Sequence, residues 1–164
     1  MRVLGIDPGT AITGYGVVEE EEGELKVLAF GTLRTPSGQP LPTRLQVIYR
    51  GVTELAEEWE PSTAAVEELF FSSNARTAMS VGQARGVALL ALANAGLSIA
   101  EYTPLAVKQA VTGYGGADKA QVQEMVRLLL RLEEAPKPDD AADALAVAIC
   151  HLHSARLDER IVSP

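Results

Sequence analysis

Two acidic residues directly follow short apolar segments of this chain. Asp7 ends the apolar run of residues 3–6 and precedes a Pro-Gly turn, and Glu67 ends the run of residues 64–66. A buried carboxylate without a partner is costly, so each acid either starts a turn or belongs to a polar site. For Asp7 both interpretations are open on local grounds, because Asp before Pro-Gly is common in simple turns.

Two further acids lie at the start of an apolar helix predicted from Asp139 to about Arg156. Asp139 is expected to be the N-cap, and Asp140 and Asp143 are three residues apart, which places them on one helix face. The helix dipole stabilises such acids by only ~0.3–1 kcal/mol, so a buried pair needs further compensation. A bound divalent cation would supply it.

The four carboxylates Asp7, Glu67, Asp140 and Asp143 would offer hard oxygen ligands. With no clustered Cys or His nearby, they favour Mg²⁺, or alternatively Mn²⁺, over zinc. Acids around two such ions fit phosphodiester hydrolysis, in which one ion activates water and the other stabilises the leaving oxygen. A purely structural acid cluster is the alternative. Glu68 faces the other side of its strand and is a lesser candidate.

The elements that must position these acids are predicted from apolar periodicity. Short turns should make the first three strands antiparallel, and strands that follow helices should run parallel to the first. This order predicts an α/β fold, a mixed five-stranded sheet with helices on both faces. Asp7 and Glu67 then lie side by side at carboxyl ends of strands, where ligand sites of such sheets form. The predicted strands are 1–7, 12–19, 25–33, 63–67 and 97–102, and the predicted helices 45–59, 73–95, 104–112, 118–132 and 139–156, with a loop at 34–43.

Length and composition limit the class of protein. A chain of 164 residues is expected to form a single domain, residues 1–157, followed by a flexible tail, residues 158–164. No apolar run reaches the ~18 residues of a membrane span. The single Cys150 sits in an apolar stretch, is expected to be a small buried hydrophobe and fits a reducing, cytoplasmic location.

Charge is unevenly distributed along the chain. The net charge of -8 argues against a general polyanion binder. Residues 72–131, however, hold 3 acids and 6 bases, a net charge of +3. This middle segment could face a phosphate backbone, although random scatter of six bases explains the count equally well.

Five motifs in order resemble the RuvC family of Holliday junction resolvases, over essentially the whole chain. They are Gly-Ile-Asp-Pro-Gly at 5–9, Val-Glu-Glu-Leu-Phe at 66–70, Gly-Gln-Ala-Arg-Gly at 82–86, Val-Lys-Gln at 107–109 and Asp-Ala-Ala-Asp-Ala-Leu-Ala at 140–146. The resemblance implies a ribonuclease-H-like nuclease domain and a homodimer that nicks two opposed strands of a four-way DNA junction. It also implies metal-binding catalytic roles for Asp7, Glu67, Asp140 and Asp143, and a branch-migration motor as partner.

Other residues match the family less specifically. Lys108 and Lys119 correspond to basic positions near its active site, with phosphate contact as the implied role and solvated lysines as the alternative. Phe70 corresponds to an aromatic linked to junction engagement; it would stack on an unpaired base, or pack in the core instead. Arg76 and Arg85 are candidates for phosphate contact or simply surface residues.

Other classes of protein share parts of this pattern. An RNA-processing nuclease of the YqgF type shares the opening strand, acid and glycine, but such chains tend to be shorter and lack the Asp-Ala-Ala-Asp start of the last helix. The turn at 7–10 also suits a sugar-kinase or actin-like ATPase, for which 164 residues are too few. A non-catalytic junction-binding module would be favoured by loss of one of the four acids, and all four are present.

A stripe of small residues runs along the helix predicted at 73–95. Such a stripe lets another helix approach closely, and glycine in a helix is otherwise unfavourable by ~1 kcal/mol relative to alanine. The stripe therefore predicts a two-fold dimer interface, with packing on the protein's own sheet as the alternative. Its members are Ala75, Ala78, Met79, Gly82 and Gly86.

Overall fold

The computed structural model describes residues 1–69 and 75–162, apart from the side chains of residues 157–162. Within these residues the chain forms five strands and five helices, close to the predicted order. They are β1 (Arg2–Asp7), β2 (Ile12–Glu21), β3 (Glu24–Arg34), α1 (Leu41–Trp59), β4 (Thr63–Glu67), α2 (Ala75–Asn94), β5 (Ser98–Tyr102), α3 (Pro104–Thr112), α4 (Lys119–Leu129) and α5 (Asp139–Val162).

The strands of the described chain form one mixed sheet in the order β3-β2-β1-β4-β5. β1, β2 and β3 pair antiparallel because short turns join them. β4 pairs parallel to β1, and β5 parallel to β4, because each is reached through a helix. The predicted sheet is confirmed, and it places the carboxyl ends of β1 and β4 next to each other.

Alternate residues of the central strands bury opposite faces of the sheet. Leu4 and Ile6 of β1 pack with α1 and α2, whereas Val3 packs with α3, α4 and α5. α5 crosses β1 and β2. Its middle is buried almost all round, Cys150 included, as its continuous apolar sequence requires. The helices therefore lie on both faces, as predicted.

Three element boundaries differ from the prediction. α1 begins at Leu41, so the loop predicted at 34–43 is too long; Pro42 is tolerated in the first helical turn, where its missing N–H is not needed. α5 continues to Val162, beyond the end predicted near Arg156, because no glycine or proline interrupts it. The helix predicted from residue 73 is described from Ala75, and residues 73 and 74 lie outside the described part.

No helix in the described ranges is long and apolar enough to cross a membrane.

Candidate active site

Asp7 and Glu67 are brought together by the pairing of β1 with β4. Ile6 pairs with Val66 in parallel register, so the next residue of each strand lies at the same edge of the sheet. Each of the two carboxyl groups affects the pKa of the other. The predicted juxtaposition is thus observed.

α5 brings Asp140 and Asp143 to the same edge. It lies so close to the sheet that a methyl group on Gly14 would overlap the carbonyl oxygen of Asp140, and one on Gly5 would overlap that of Ala144. Gly14 is the β2 partner of Asp7 in the ladder. The absence of a side chain at Gly14 therefore allows the first turn of α5 to lie directly over the end of β1.

Burial and mutual repulsion set the protonation of these acids. Burial, followed by the charges of Glu67, Asp143 and Asp140, raises the pKa of Asp7 to about 8. Burial and then the charge of Asp143 also raise the pKa of Glu67, against the opposing influence of Asp7, Lys119 and Lys108. The four acids are therefore close enough to act electrostatically as one cluster.

Among the described residues, Lys119 is the cation that contacts these acids directly. Its Nζ donates to Oδ2 of Asp143 at 3.1 Å and lies 3.6 Å from Oδ2 of Asp139. Burial lowers the pKa of Lys119, but the contacts with Asp143 and Asp139 outweigh it and the pKa is raised overall. Burial raises the pKa of Asp143 despite this partner. Lys119 and Lys108 both line a cavity of about 230 Å³ together with Glu67 and Asp143.

The donor set suits a hard divalent cation, although no three Asp, Glu, His or Cys side chains in the described residues form a ready-made metal cage. The Asp143 carboxylate instead accepts a hydrogen bond from Lys119. Repulsion between clustered carboxylates, visible in the raised pKa of Asp7, is the condition that a divalent cation would relieve. The four residues therefore fit such an ion by the chemistry of their oxygens.

The remaining candidate residues have different surroundings. Arg85 forms an ion pair with Glu101, and its Nε donates to the carbonyl oxygen of Glu67 at 3.3 Å. Arg76 is exposed near the start of α2, and Phe70 lies outside the described residues. Glu68 is exposed at the rim of a second cavity of about 230 Å³ that also contains Asp7 and Glu67.

The prediction that Asp139 is the N-cap of α5 is wrong. Asp139 is the first residue of the helix rather than its N-cap, and the carbonyl oxygen of Pro138 accepts the first hydrogen bonds, from Ala141 and Ala142. The Asp139 carboxylate instead accepts from Nε2 of Gln123 at 2.9 Å. This contact joins the start of α5 to α4, the helix that carries Lys119.

Two contacts at this site are not predictable from the sequence. The first is the Lys119–Asp143 ion pair, which joins α4 to α5 across 24 residues. The second is the anchoring of the end of β4 by Arg85. Their positive charge makes Lys119 and Arg85 candidates for phosphate contact, but nothing in their local sequence indicates which residues of the chain they contact.

The order and directions of the strands place this chain in the ribonuclease-H-like fold class. A family model described as crossover junction endodeoxyribonuclease RuvC matches residues 3–151. A relative with the same name from Chloroflexus aurantiacus is 63% identical over 155 residues, which cover 94% of both chains. The chain belongs to the RuvC family of crossover junction endodeoxyribonucleases.

Structural comparison agrees with this assignment. The structure of Thermus thermophilus RuvC in complex with a Holliday junction substrate is 40% identical, with a TM-score of 0.92 and 96% of each chain covered. The yeast mitochondrial Holliday junction resolvase Ydc2 is 18% identical with a TM-score of 0.71, covers 96% of this chain and 82% of its own, and shares the fold. The predicted family, fold class and enzymatic nature are confirmed. The YqgF-type, ATPase and non-catalytic alternatives are set aside.

Proposed function

We propose that this chain resolves four-way DNA junctions by nicking two opposed strands, with Asp7, Glu67, Asp140 and Asp143 as its catalytic acids. The observation that carries the proposal is the convergence of these four carboxylates on one edge of the sheet, where the other three all affect the ionisation of Asp7. The bound junction in the Thermus thermophilus RuvC complex supports the choice of substrate.

The same four acids would hold divalent cations, Mg²⁺ in preference and Mn²⁺ as the alternative, with two ions per site. When bound, such ions activate water and stabilise the charge that develops on the leaving oxygen. The carboxylates supply hard oxygen ligands of the kind these ions prefer. Arg85 holds the end of β4 through the Glu67 carbonyl and so orients one of the ligands.

Lys108 and Lys119 are proposed to contact the phosphates of the strand that is cut. Both line the cavity that contains Glu67 and Asp143, so a phosphate beside the acids lies within reach of their amino groups. Arg76 and Phe70, together with Arg85, stay predictions for DNA contact. For Arg85 the ion pair with Glu101 makes a positioning role the better supported one.

The protein is further proposed to act as a two-fold homodimer through the outer face of α2. The fully buried residues of α2 are Ala84, Ala88, Ala91 and Leu92, none of which belongs to the predicted stripe. Met79 is 70% exposed, and no atom of the described residues lies within 4 Å of a methyl group built on Gly86, although one built on Gly82 would meet Leu69 at 3.6 Å. A second copy would cover this face. The motor partner and the cytoplasmic location remain predictions from the family resemblance.

The direct test is incubation with a mobile four-way junction, linear duplex DNA and structured RNA, with and without Mg²⁺. We expect paired nicks in the junction alone and only with the metal ion. Glu67→Gln should abolish cleavage while junction binding persists, whereas Glu57→Gln, an exposed acid on α1, should cleave normally. Normal cleavage by Glu67→Gln would refute the assignment of the acids.

A further inference from the structure

A third cavity adjoins the candidate active site on the side away from Lys108 and Lys119. It measures about 610 Å³ and lies between the β1–β2 turn and the first turns of α1, α2 and α5. Asp140 forms part of its wall. Its other polar lining residues are Thr10, Arg44, Thr77 and Ser80.

This cavity continues a row of cavities that passes along the acids. The cavity with the two lysines shares Glu67 and Pro104 with the cavity beside Asp7. The cavity beside Asp7 in turn shares Val81 with the one that contains Arg44. A nucleic acid strand that follows this row passes the lysines, then the acids, and then Arg44.

Arg44 is held in place from one side of its guanidinium group. Its Nε donates to Oγ1 of Thr35 at 2.8 Å, and that hydroxyl donates onward to the carbonyl oxygen of Thr10 at 2.6 Å. Among the described residues no carboxylate lies within ion-pair distance of Arg44. The two terminal nitrogens of a fixed guanidinium form the fork that binds phosphate in a bidentate manner.

Thr10 supplies a second, independent observation. Its hydroxyl oxygen is buried, and within the described part of the chain it has no hydrogen-bond partner. Such a group is unfavourable in a folded protein unless a ligand or water satisfies it. A hydroxyl can donate to a phosphate oxygen, so the same ligand would satisfy Thr10 and neutralise Arg44.

We propose that the cavity of Thr10 and Arg44 binds a backbone phosphate of the cleaved DNA strand, next to the bond that is cut. The strand would then be held at two places, by the lysines on one side of the acids and by Thr10 and Arg44 on the other. Two such contacts would fix which bond of the strand lies at the acids. The proposal deepens the proposed function and rests on it. Asp140 is the acid that lines this cavity, and Arg44 supplies the positive charge that compensates for it.

The first test compares Arg44→Gln with Arg50→Gln, which removes the same charge from an exposed position of α1. Junction binding is measured over a range of salt concentrations without divalent cations, so that no cleavage occurs. We expect Arg44→Gln to bind about tenfold more weakly and to lose about one counterion from the salt slope. Arg50→Gln should bind like the unmodified protein. Equal behaviour of the two variants would overturn the proposal.

A second test changes the DNA instead of the protein. Single methylphosphonates, which remove one backbone charge, are placed in turn at each phosphate around the cut. We expect one flanking position to weaken binding by the unmodified protein but to have no further effect on Arg44→Gln, because the two changes remove the same contact. Additive losses at every position would contradict the assignment.

Thr10 is tested by Thr10→Val, which keeps the shape and removes the hydroxyl, against Thr10→Ser, which keeps the hydroxyl. Thr10→Val should weaken junction binding several-fold while its melting temperature stays equal or rises by about 2–4 °C, since a buried unsatisfied group is removed. Thr10→Ser should bind normally. Unchanged binding by Thr10→Val overturns the role of this hydroxyl. If the unmodified protein cuts no junction, the proposed function itself fails. That result is distinguishable from failure of the phosphate site, which is measured by binding of the variants.

Discussion

Asp7 occupies an unfavourable electrostatic position in the candidate active site. It is largely buried, and three carboxylates face it, so burial and repulsion raise its pKa to about 8. Near neutral pH the metal-free protein must either keep a proton on this cluster or bear the repulsion. In both cases the folded state is less favourable than it would be with a neutral side chain at this position.

Asp7→Asn should therefore stabilise the metal-free protein, increasingly so as the pH rises. A carboxyl group whose folded pKa lies above its unfolded value contributes stability below pH 3.8, and this contribution is lost as the pH rises through about 8. We expect the variant to have an unfolding free energy about 0.5–2 kcal/mol higher at pH 8, with a smaller difference at pH 5. Urea unfolding with a chelator measures both values. A variant less stable at pH 8 would show that the Asp7 carboxylate is not held under repulsion.

The two lysines beside the acids should differ in what their removal does. Lys108→Ala and Lys119→Ala should each reduce the salt slope of junction binding by about one counterion. Lys119→Ala should in addition raise the pKa of Asp143, because it removes the hydrogen bond that lowers it. The pH profile of cleavage should then move upward for Lys119→Ala, and by less for Lys108→Ala, which removes only one of the two lysine charges that lower the pKa of Glu67.

The matched control is Lys26→Ala, an exposed lysine on β3 at the opposite end of the sheet. It should leave both the salt slope and the pH profile unchanged. If the double variant Lys108→Ala, Lys119→Ala binds and cleaves like Lys26→Ala, neither lysine contacts phosphate.

At the scale of elements, the position of the acids depends on how closely α5 approaches the sheet. Gly14→Ala would place a methyl group against the Asp140 carbonyl, so α5 must move away from β2. We expect a loss of about 1–3 kcal/mol in unfolding free energy and a larger fall in cleavage than in junction binding. Gly38→Ala, in a loop where nothing lies within 4 Å, is the control and should be neutral in both measurements.

The elements themselves were predictable because their signals are local. Apolar runs bounded by turns gave β1 to β5, and their order followed from the lengths of the connections. Element ends were less predictable, since Pro42 is acceptable inside a first helical turn and Asp139 found a partner on α4. The close packing of α5 against Gly14 is a contact between segments that are distant in sequence, and no local pattern predicts it.

The residues of the candidate site also divide into those that local sequence predicts and those that depend on the fold. Asp7 and Glu67 were predictable because a carboxylate at the end of a buried strand is conspicuous. The roles of Arg85 and Arg44 were not, because each depends on a partner or cavity that only the fold assembles. A basic residue on a helix has the same local sequence whether it meets solvent, a carboxylate or a phosphate.

For the whole molecule, the charge distribution explains how an acidic protein can hold DNA. The surplus of bases in residues 72–131 is partly neutralised by acids from other segments of the chain, since Arg131 pairs with Glu24. The positive groups at the candidate site remain around the acids, on the row of cavities. Attraction for DNA is therefore expected to be local, and the salt slope of binding should reflect the few phosphates contacted there, since added salt screens the repulsion between DNA and the net charge of -8.

The last prediction concerns dimerisation through the face of α2 that carries Met79 and Gly86. A junction has two equivalent strands to cut, and a two-fold dimer places one acid cluster on each. Met79→Glu would bury a charge in the proposed interface, and we expect dimerisation to weaken by about thirtyfold, a cost of about 2 kcal/mol. Gly86→Leu, whose added side chain meets none of the described residues of the single chain, should act in the same direction without disturbing the fold.

Sedimentation measures the assembly, and a supercoiled cruciform substrate distinguishes paired from single nicks. Both variants should sediment as folded monomers and nick one strand at a time, because the second acid cluster is no longer held in place. Leu128→Glu is the control, since Leu128 is a comparably exposed apolar residue on α4. It should remain dimeric and make paired cuts. If Met79→Glu and Gly86→Leu also remain dimeric and make paired cuts, the interface lies on another face, and the small residues of α2 need a different explanation.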